Sequence, residues 1–336
     1  MSFSIPAHKI AGVDVSAIGY GSMSIAGTFY NPDAVSPDED RFAVLDAAYA
    51  AGCRNWDTAD AYRDSEDLFG KWFKRTGKRD DIFLATKCGI RHTTEGYKVD
   101  GTPSYIKEAC AKSLERLGVQ TIDLYYLHRA DRRTPIEHSI GALAELVKEG
   151  KVKAIGISGV NESTLRRAAA VHPIAALQIE YSPFCLDIET NGLLKACREL
   201  NIAVVAYSPL GRGVLTGRFK GPEDVGENDA RHTLPWFNKE NFQKILKLVD
   251  VLKVVGEKHS AAPSQVTLAW VLEQDIIPIP GTRSVKYLEE NIGGGAVKLT
   301  AAEVQEIRTA AEACILHSEK VSSLYSELAP CDTPLP

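Results

Sequence analysis

Short apolar runs, many of them rich in β-branched residues, recur along the chain at intervals that leave room for one helix each. They cover residues 15–19, 53–56, 82–86, 122–127, 152–157, 175–179, 202–206 and 276–279. The intervening segments are amphipathic, and Phe42, Leu45 and Tyr49 show the three- and four-residue spacing of one helical face. Helices are predicted over residues 38–51, 103–117, 135–148, 163–170, 191–200 and 239–258. This alternation predicts a parallel sheet that is covered by helices.

Eight strand–helix units favour one closed (β/α)8 TIM barrel of the α/β class over an open doubly wound sheet. No linker interrupts the chain, so residues 1–336 are predicted to form a single domain, with a C-terminal tail from about residue 312. Two short strands around the turn at 11–12 predict a hairpin that plugs the N-terminal end of the barrel. Residues 208–239 are rich in Gly, Asp and Pro and predict a long βα loop at the active-site end.

Composition excludes several classes of protein. The chain has 39 Lys and Arg against 44 Asp and Glu, a net charge of −5, without a basic cluster that would bind nucleic acid or an anionic membrane. Residues 1–8 lack the features of a signal peptide, and no apolar run approaches the ~20 residues of a membrane span. The seven cysteines lack CxxC spacing and the histidines lack ligand spacing, so we expect a cytoplasmic protein with reduced thiols and no metal site.

Polar residues with catalytic potential follow three neighbouring predicted strands. Asp57 and Tyr62 come after the second strand. Lys87 closes the third strand, and His128 closes the fourth. Because the active site of a parallel barrel forms at the C-terminal ends of its strands, we expect these four side chains to meet at one mouth.

This quartet predicts a specific chemistry. A tyrosine phenol has a pKa of about 10 and gives up its proton poorly near neutrality. A buried ammonium beside Tyr62 would favour the phenolate and lower that pKa, and Asp57 would keep Lys87 charged. His128 would hydrogen-bond the carbonyl oxygen of a substrate and fix its position. The four residues therefore predict a proton donor with a tuned pKa beside a site that stabilises an oxyanion.

The same residues resemble the motifs of the aldo-keto reductase superfamily. The matching motifs are DTA at 57–59 with Tyr62, Lys87 at a strand end, DLYYLH at 123–128, GIS at 156–158, YSPLG at 207–211, and IPGTR at 279–283 ahead of Glu290 and Asn291. They follow the family's order from about residue 9 to residue 291. The chain is most similar to the fungal pyridoxal reductases and the plant perakine reductase or auxin-induced group, in residues 173–176, 180–182, 187–189 and 215–218.

The resemblance implies an enzyme that reduces an aldehyde or ketone to the alcohol and converts NADPH to NADP+. It implies that Tyr62 is the general acid and that His128 orients the carbonyl group. Asp57 and Lys87 are implied to tune the pKa of the phenol. The predicted pocket walls mix aromatic, polar and basic residues, which suits an aromatic or heterocyclic substrate, with pyridoxal-like compounds among the candidates. These walls are residues 25–31, 90–99, 129–132, Phe184 and residues 221–238.

The resemblance also implies a nucleotide site along the C-terminal end of the barrel. The implied nicotinamide contacts are Gly21, Ser22, Met23, Ser158 and Gln178, the last two at the carboxamide, with Tyr207 as the stacking ring. The implied pyrophosphate contacts are Ser208, Pro209, Leu210, Gly211 and Gly213. The implied adenosine contacts are Thr282, Arg283 and Tyr287 at the 2′-phosphate and Glu290 and Asn291 at the adenine, and Asp57, Ile279 and Gly281 complete the set. Arg283 predicts a preference for NADPH over NADH, because its guanidinium matches a phosphate group.

One position departs from the family pattern. The serine that ends the fifth strand is usually followed by asparagine, whereas Ser158 is followed by Gly159, and Asn161 comes two residues later. One contact to the carboxamide is therefore open, with Asn161 as a candidate to supply it.

Two other functions fit a barrel of this kind. One is a nicotinamide-binding regulatory protein like the β subunits of potassium channels, although we find no partner-binding extension before Ser4. The other is an aldolase-type barrel in which Lys87 forms a Schiff base, which would require Lys87 to lack the carboxylate partner that Asp57 offers. We expect a monomer or a weak homo-oligomer that acts on a small-molecule carbonyl substrate.

Overall fold

The computed structural model describes residues 7–26, 35–93, 96–234, 236–314 and 329–336. Residues 27–31, 94–95 and 235 of the predicted pocket walls and 315–328 of the predicted tail lie outside these ranges. The strands are β1 (Ala7–Ile10), β2 (Val13–Ser16), β3 (Tyr20–Gly21), β4 (Asn55–Asp57), β5 (Phe83–Cys88), β6 (Ile90–Thr93), β7 (Gly96–Val99), β8 (Ile122–Leu127), β9 (Val152–Ser158), β10 (Ile174–Glu180), β11 (Ala203–Tyr207) and β12 (Ile277–Pro278). The helices are α1 (Asp38–Ala50), α2 (Ser65–Thr76), α3 (Pro103–Leu117), α4 (Ile136–Lys148), α5 (Glu162–Val171), α6 (Leu193–Glu199), α7 (Lys239–His259), α8 (Pro263–Leu272), α9 (Val285–Gly293) and α10 (Ala301–Ala313).

Eight of these strands form a parallel sheet in the order β3-β4-β5-β8-β9-β10-β11-β12. Its two edges meet through hydrogen bonds from the N–H groups of Gly19 and Gly21 to the carbonyl oxygens of Pro278 (2.9 Å) and Pro280 (3.2 Å). Gly21 also forms a parallel bridge with Gly281. The sheet is closed on itself, which confirms the predicted (β/α)8 barrel.

The N-terminal hairpin fills one end of this barrel, as predicted. β1 and β2 pair antiparallel, and Ile10 and Val15 are buried in one apolar cluster with inward side chains of β5, β8 and β11. The Ser16 hydroxyl accepts hydrogen bonds from the N–H groups of Arg54 (3.1 Å) and Asn55 (3.2 Å), at the start of β4. The plug therefore lies at the N-terminal ends of the strands, and the opposite end remains for a site.

The predicted bounds of the first barrel strand are wrong. Residues 15–19 cover the end of β2 and the connection after it, whereas the strand that pairs with β4 is Tyr20–Gly21. Every residue from Val15 to Tyr20 is buried, so the apolar run continues from the hairpin into the barrel without marking the break. The other seven predicted strands coincide with β4, β5 and β8 to β12 apart from small differences at their ends.

The six predicted helices correspond to α1 and α3 to α7, and α2, α8, α10 and the β6–β7 hairpin were not predicted. In α8, residues 266–271 are all buried, so this helix lacks the apolar and polar faces that an amphipathic pattern requires. The β6–β7 hairpin was not predicted because β7 is exposed at three of its four positions and so has no apolar run. Among the described residues, no helix is long and apolar enough to cross a membrane.

Residues 329–336 pack against the barrel. Cys331 forms a parallel bridge with Val160, and its carbonyl oxygen accepts a hydrogen bond from the N–H group of Asn161 (3.3 Å). The Cys331 thiol lies 3.4 Å from the carbonyl oxygen of Ala130 and donates to it. This C-terminal segment thus supports the loops that follow β8 and β9.

Close packing of α2 against α3 makes Gly70 sensitive to substitution. A Cβ atom at Gly70 would lie 2.3 Å from the carbonyl oxygen of Arg116, so an alanine must push the two helices apart. We expect Gly70→Ala to lower the free energy of unfolding by about 1–3 kcal/mol. Gly141→Ala in α4 is the matched control, because nothing lies within 4 Å of its Cβ position and alanine has the higher helix propensity. Urea unfolding followed by circular dichroism measures both variants, and equal stabilities would contradict the prediction.

Candidate active site

A buried ion pair lies at the C-terminal end of the barrel. Asp57 ends β4, Lys87 lies on the neighbouring β5, and the Lys87 ammonium donates to Asp57 Oδ1. Lys87 also donates to the carbonyl oxygen of Thr58 (2.7 Å), while Gln178 on β10 donates to Asp57 Oδ2 (2.7 Å). Burial alone would lower the pKa of Lys87, but the neighbouring Asp57 and Tyr62 more than offset this and raise it. Lys87 therefore stays an ammonium ion although it is fully buried.

Tyr62 and His128 face each other beside this ion pair. Their ring centroids are 5.7 Å apart and their planes meet at 84°. The Lys87 ammonium lies 4.9 Å from the centroid of the Tyr62 ring. Tyr62 lies in the turn between β4 and α2, and His128 directly follows β8. The structure thus brings together all four residues that the sequence singled out.

Burial controls the protonation of both rings. It raises the pKa of the Tyr62 phenol above its ordinary value of 10, and the positive charges of Lys87 and Arg129 offset this only in part. The net direction differs from the lowering predicted from Lys87, because the loss of hydration outweighs the nearby ammonium. Burial also holds the pKa of His128 well below its ordinary range, and Arg129 and Lys87 act in the same direction. His128 is therefore neutral near pH 7.

A second polar network, which the sequence did not reveal, holds the turn that carries Tyr62. Burial, together with the charge of Glu66, raises the pKa of Asp60 to about 8. Glu66 is 1 % exposed and accepts hydrogen bonds from the hydroxyl of Thr86 (2.6 Å) and the guanidinium of Arg116 (2.8 Å). The turn is thereby tied to β5 and α3. In the sequence, this network is indicated only by the two carboxylates that flank Tyr62. Acidic residues are expected near the start of any helix, so they do not predict the network.

Asp57, Tyr62 and His128 line a cavity of about 480 Å³ at the C-terminal ends of the strands, and Lys87 lies behind them. The long loop after β11 contributes to the wall of this cavity, as predicted, mainly through residues 208–219 and Arg231. Within the described ranges, no three His, Cys, Asp or Glu side chains are placed to hold a metal ion.

Most of the predicted cofactor residues outside the adenosine site line this main cavity. They are Gly21, Met23, Asp57, Gln178, Tyr207, Ser208, Pro209, Leu210, Gly213, Ile279 and Gly281. Ser22, Ser158 and Gly211 are buried and do not reach its surface. The N–H group of Ser22 donates to the carbonyl oxygen of Asp57 (2.8 Å), which fixes the segment after β3 against β4.

A second cavity, of about 660 Å³, adjoins the first, and Ser24 and Arg218 line both. The predicted 2′-phosphate residues Thr282, Arg283 and Tyr287 line this second cavity, where α9 begins. The N-terminus of a helix offers unpaired N–H groups and a partial positive charge, which attract phosphate. The two cavities together form an elongated site with an anion-binding end.

The predicted adenine residues lie elsewhere on α9. Glu290 and Asn291 line neither cavity. The Glu290 carboxylate accepts a hydrogen bond from the hydroxyl of Ser264 on α8, and Asn291 is only 4 % exposed. Their contact with an adenine stays a prediction.

The predicted pocket walls are found in part. Ile90, Tyr97, Arg129 and Arg231 line the main cavity. Phe184 instead packs on an aromatic ring of the long loop, Trp236, at 4.8 Å between ring centroids, and lines neither cavity. The hairpin of β6 and β7 therefore contributes to the pocket, whereas the segment after β10 does not.

Four arginines line the main cavity, and none was predicted as an individual site residue: Arg129, Arg212, Arg218 and Arg231. Arg212 forms an ion pair with Glu180 at 3.1 Å, and Arg231 forms one with Asp229 at 2.8 Å. All three residues at 211–213 have a positive φ, of 55°, 57° and 95°, so the loop makes an unusually tight turn there. The sequence Gly-Arg-Gly indicates such a turn but not which way its arginine points.

Asn161 does not face either cavity. It precedes α5, and its side-chain nitrogen donates to Asp332 Oδ2 (3.2 Å). The hydroxyls of Ser163 and Thr164 donate to the other oxygen of the same carboxylate. Asn161 thus binds the C-terminal segment. The contact to the nicotinamide carboxamide that the family's asparagine would make at position 159 therefore needs another donor.

Comparisons with known proteins agree with this geometry. A sequence profile described as the Aldo/keto reductase family matches residues 17–312. The chain is 58 % identical over 316 residues to the aldo-keto reductase str7 of Strobilurus tenacellus, a match that covers 92 % of both chains. It is 48 % identical over 319 residues to the aldo-keto reductase yakc (NADP(+)) of Schizosaccharomyces pombe, which covers 93 % of this chain and 92 % of that protein.

Solved structures show the same architecture. A glycerol dehydrogenase from Gluconobacter oxydans superposes with a TM-score of 0.83 at 28 % identity, over 92 % of this chain and 95 % of that one. An aldo-keto reductase from Bacillus halodurans superposes with a TM-score of 0.75 at 26 % identity, over 94 % of this chain and 100 % of that one. The chain therefore belongs to the aldo/keto reductase family, the oxidoreductases of small-molecule carbonyl compounds.

Proposed function

We propose that this chain reduces an aldehyde or a ketone to the alcohol with NADPH, and that Tyr62 donates the proton. The observation that carries the proposal is the convergence of Tyr62, His128 and the Asp57–Lys87 ion pair on one cavity. The use of NADPH is supported by the elongated site and by the relative from Schizosaccharomyces pombe, whose name includes NADP(+).

The side chains divide the chemistry between them. NADPH, when bound, supplies the hydride that reduces the carbonyl carbon. The Tyr62 phenol, which its raised pKa keeps protonated near neutral pH, donates the proton to the carbonyl oxygen. Lys87 stabilises the phenolate that remains, because its ammonium lies beside that ring. His128, neutral at this pH, donates one ring N–H to the carbonyl oxygen and holds it in place.

The residues around the two cavities fit a phosphorylated dinucleotide. The buried hydroxyl of Ser24 lies where the cavities join and has no hydrogen-bond partner in the described part of the chain. We assign the nicotinamide to the inner end, beside Tyr207 and Gln178. We assign the 2′-phosphate to the outer end, where Thr282 and Arg283 meet the start of α9.

For the substrate we propose an aromatic or heterocyclic aldehyde or ketone, with pyridoxal-like compounds among the candidates. Ile90, Tyr97 and Phe219 line the main cavity and suit a flat, largely apolar ring. We also propose a cytoplasmic monomer or weak homo-oligomer. The location is supported by the seven cysteines, all of which carry free thiols.

The two alternative functions differ in how well they suit the site. A Schiff-base mechanism needs a neutral, accessible amine, whereas Lys87 is fully buried and donates to both Asp57 and Thr58. A regulatory protein that binds NADPH without turnover would share the observed geometry. An NADPH-oxidation screen over aldehydes and ketones, with pyridoxal and substituted benzaldehydes included, separates that alternative from the enzyme.

Removal of the Tyr62 hydroxyl tests the general acid. We expect Tyr62→Phe to lower kcat by about 10²-fold or more, as for the loss of a general acid, while the Kd for NADPH stays nearly unchanged. Tyr49→Phe is the matched control, because Tyr49 lies on α1, lines neither cavity and should keep kcat near the wild-type value. Steady-state kinetics and NADPH fluorescence titration measure the two effects. A Tyr62→Phe enzyme with wild-type kcat would remove Tyr62 from the mechanism.

The pH dependence of alcohol oxidation tests the role of Lys87. Lys87→Met removes a charge that opposes the rise in the Tyr62 pKa, so the ionisation that activates alcohol oxidation should move to higher pH. Asp57→Asn should act in the same direction but more weakly, because the lysine remains. Lys74→Met, at an exposed position of α2, is the control. Thermal melts confirm folding, and unaltered pH profiles in both site variants would count against this role.

Cofactor preference tests Arg283. We expect wild-type protein to prefer NADPH, and Arg283→Ala to raise the KM for NADPH by roughly tenfold or more, as for loss of a charge-assisted hydrogen bond. The KM for NADH should hardly change, since NADH lacks the 2′-phosphate. The loss should shrink at high salt, which screens the interaction. Equal use of both cofactors by the wild type, or an equal loss with both in the variant, would refute the assignment.

A further inference from the structure

Arg129 places a guanidinium at the inner end of the main cavity. Its Nη1 donates to the carbonyl oxygen of His128 (2.7 Å) and to the hydroxyl of Ser158 (3.0 Å). Its guanidinium carbon lies 5.8 Å from the centroid of the Tyr207 ring. Arg129 thus joins the end of β8 to the end of β9 and faces the aromatic ring at the end of β11.

In the described part of the chain, no acidic side chain forms an ion pair with Arg129. Two other arginines that line this cavity, Arg212 and Arg231, form ion pairs with Glu180 and Asp229. No carboxylate of the described residues lies within ion-pair distance of Arg129, and its Nε atom is buried without a hydrogen-bond partner. A permanent charge that is partly withdrawn from water requires an acceptor, and the cavity is where a ligand can supply one.

Gly159 makes room for this side chain. A Cβ atom at Gly159 would lie 2.5 Å from Cδ and 3.4 Å from Cα of Arg129. The φ of Gly159 is +66°, which also favours glycine. Any larger residue at position 159 would therefore displace the arginine. The glycine after Ser158 and the arginine after His128 form one structural unit.

We propose that Arg129 donates a hydrogen bond to the carboxamide oxygen of the nicotinamide and so positions the reactive ring, with Gly159 providing the space. This inference rests on the proposed function and adds a residue to it. A guanidinium can only donate, so of the two polar atoms of the carboxamide it can serve the oxygen alone. The guanidinium of Arg129 lies beside Ser158 and Tyr207, the residues predicted to contact the carboxamide and to stack on the nicotinamide. This position favours the carboxamide oxygen over a group on the substrate.

Binding of three oxidised cofactors tests the proposal without catalysis. NADP+ carries the carboxamide, its 3-acetylpyridine analogue keeps only the carbonyl oxygen, and its thionicotinamide analogue replaces that oxygen with sulfur, a weak acceptor. We expect Arg129→Met to raise the Kd about tenfold for NADP+ and for the acetylpyridine analogue, and by less than about twofold for the thionicotinamide analogue. Quenching of protein fluorescence measures each Kd. Arg132→Met, at an exposed position of the same loop, should change none of them.

Gly159→Ala tests the proposal with Arg129 itself still present, and a double variant then measures how the two positions are coupled. Gly159→Ala should weaken NADP+ binding in the wild-type background, because the new Cβ displaces the arginine. In the Arg129→Met background the same substitution should add little, because the guanidinium that the new Cβ would displace is already absent. Full additivity of the two substitutions would overturn the proposal.

Three further results have distinct meanings. An equal loss of affinity for all three cofactors would show that Arg129 does not act on the carboxamide oxygen. Unchanged cofactor affinity, with a raised KM only for substrates that carry a carboxylate, would assign Arg129 to the substrate and overturn the proposal. Failure of the wild-type protein to bind NADP+ at all would instead refute the proposed function.

Discussion

The site depends on the buried contact between Asp57 and Lys87. It joins β4 to β5, and the hydrogen bond from Gln178 extends it across the barrel to β10. Two charges are costly to remove from water, and the cost is recovered only where further hydrogen bonds complete the pair, as Thr58 and Gln178 do here. Loss of one partner alone leaves a buried charge, typically at a cost of about 3–5 kcal/mol. The same atoms therefore determine both the stability of the barrel mouth and the charge beside Tyr62.

Strand register determines which side chains reach that mouth. Lys87 pairs with Tyr126 on β8, and the N–H group of His128 donates to the carbonyl oxygen of Cys88 (2.7 Å), which continues the ladder beyond β8. Successive residues of a strand point to opposite faces of the sheet. A shift of one residue in this pairing would turn the lysine away from Asp57 and towards the surrounding helices.

Periodicity predicted the barrel and its four catalytic candidates, because both depend on local patterns and on where strands end. The strand at 122–127 and the helix at 103–117 have the predicted bounds. Contacts between distant segments, such as Asn161 with Asp332, have no counterpart in any local pattern. The net direction of the Tyr62 pKa was missed for a related reason, since it depends on how completely the fold removes water from the phenol.

The C-terminal segment has a consequence for the order in which the site is assembled. Residues 329–336 provide the strand-like contact that supports the loops after β8 and β9, in which Arg129 and Gly159 lie, through Cys331. When the ribosome has completed α10, the four catalytic candidates have already been synthesised, but residues 329–336 have not. The loops after β8 and β9 therefore lack these contacts until residues 329–336 have been synthesised.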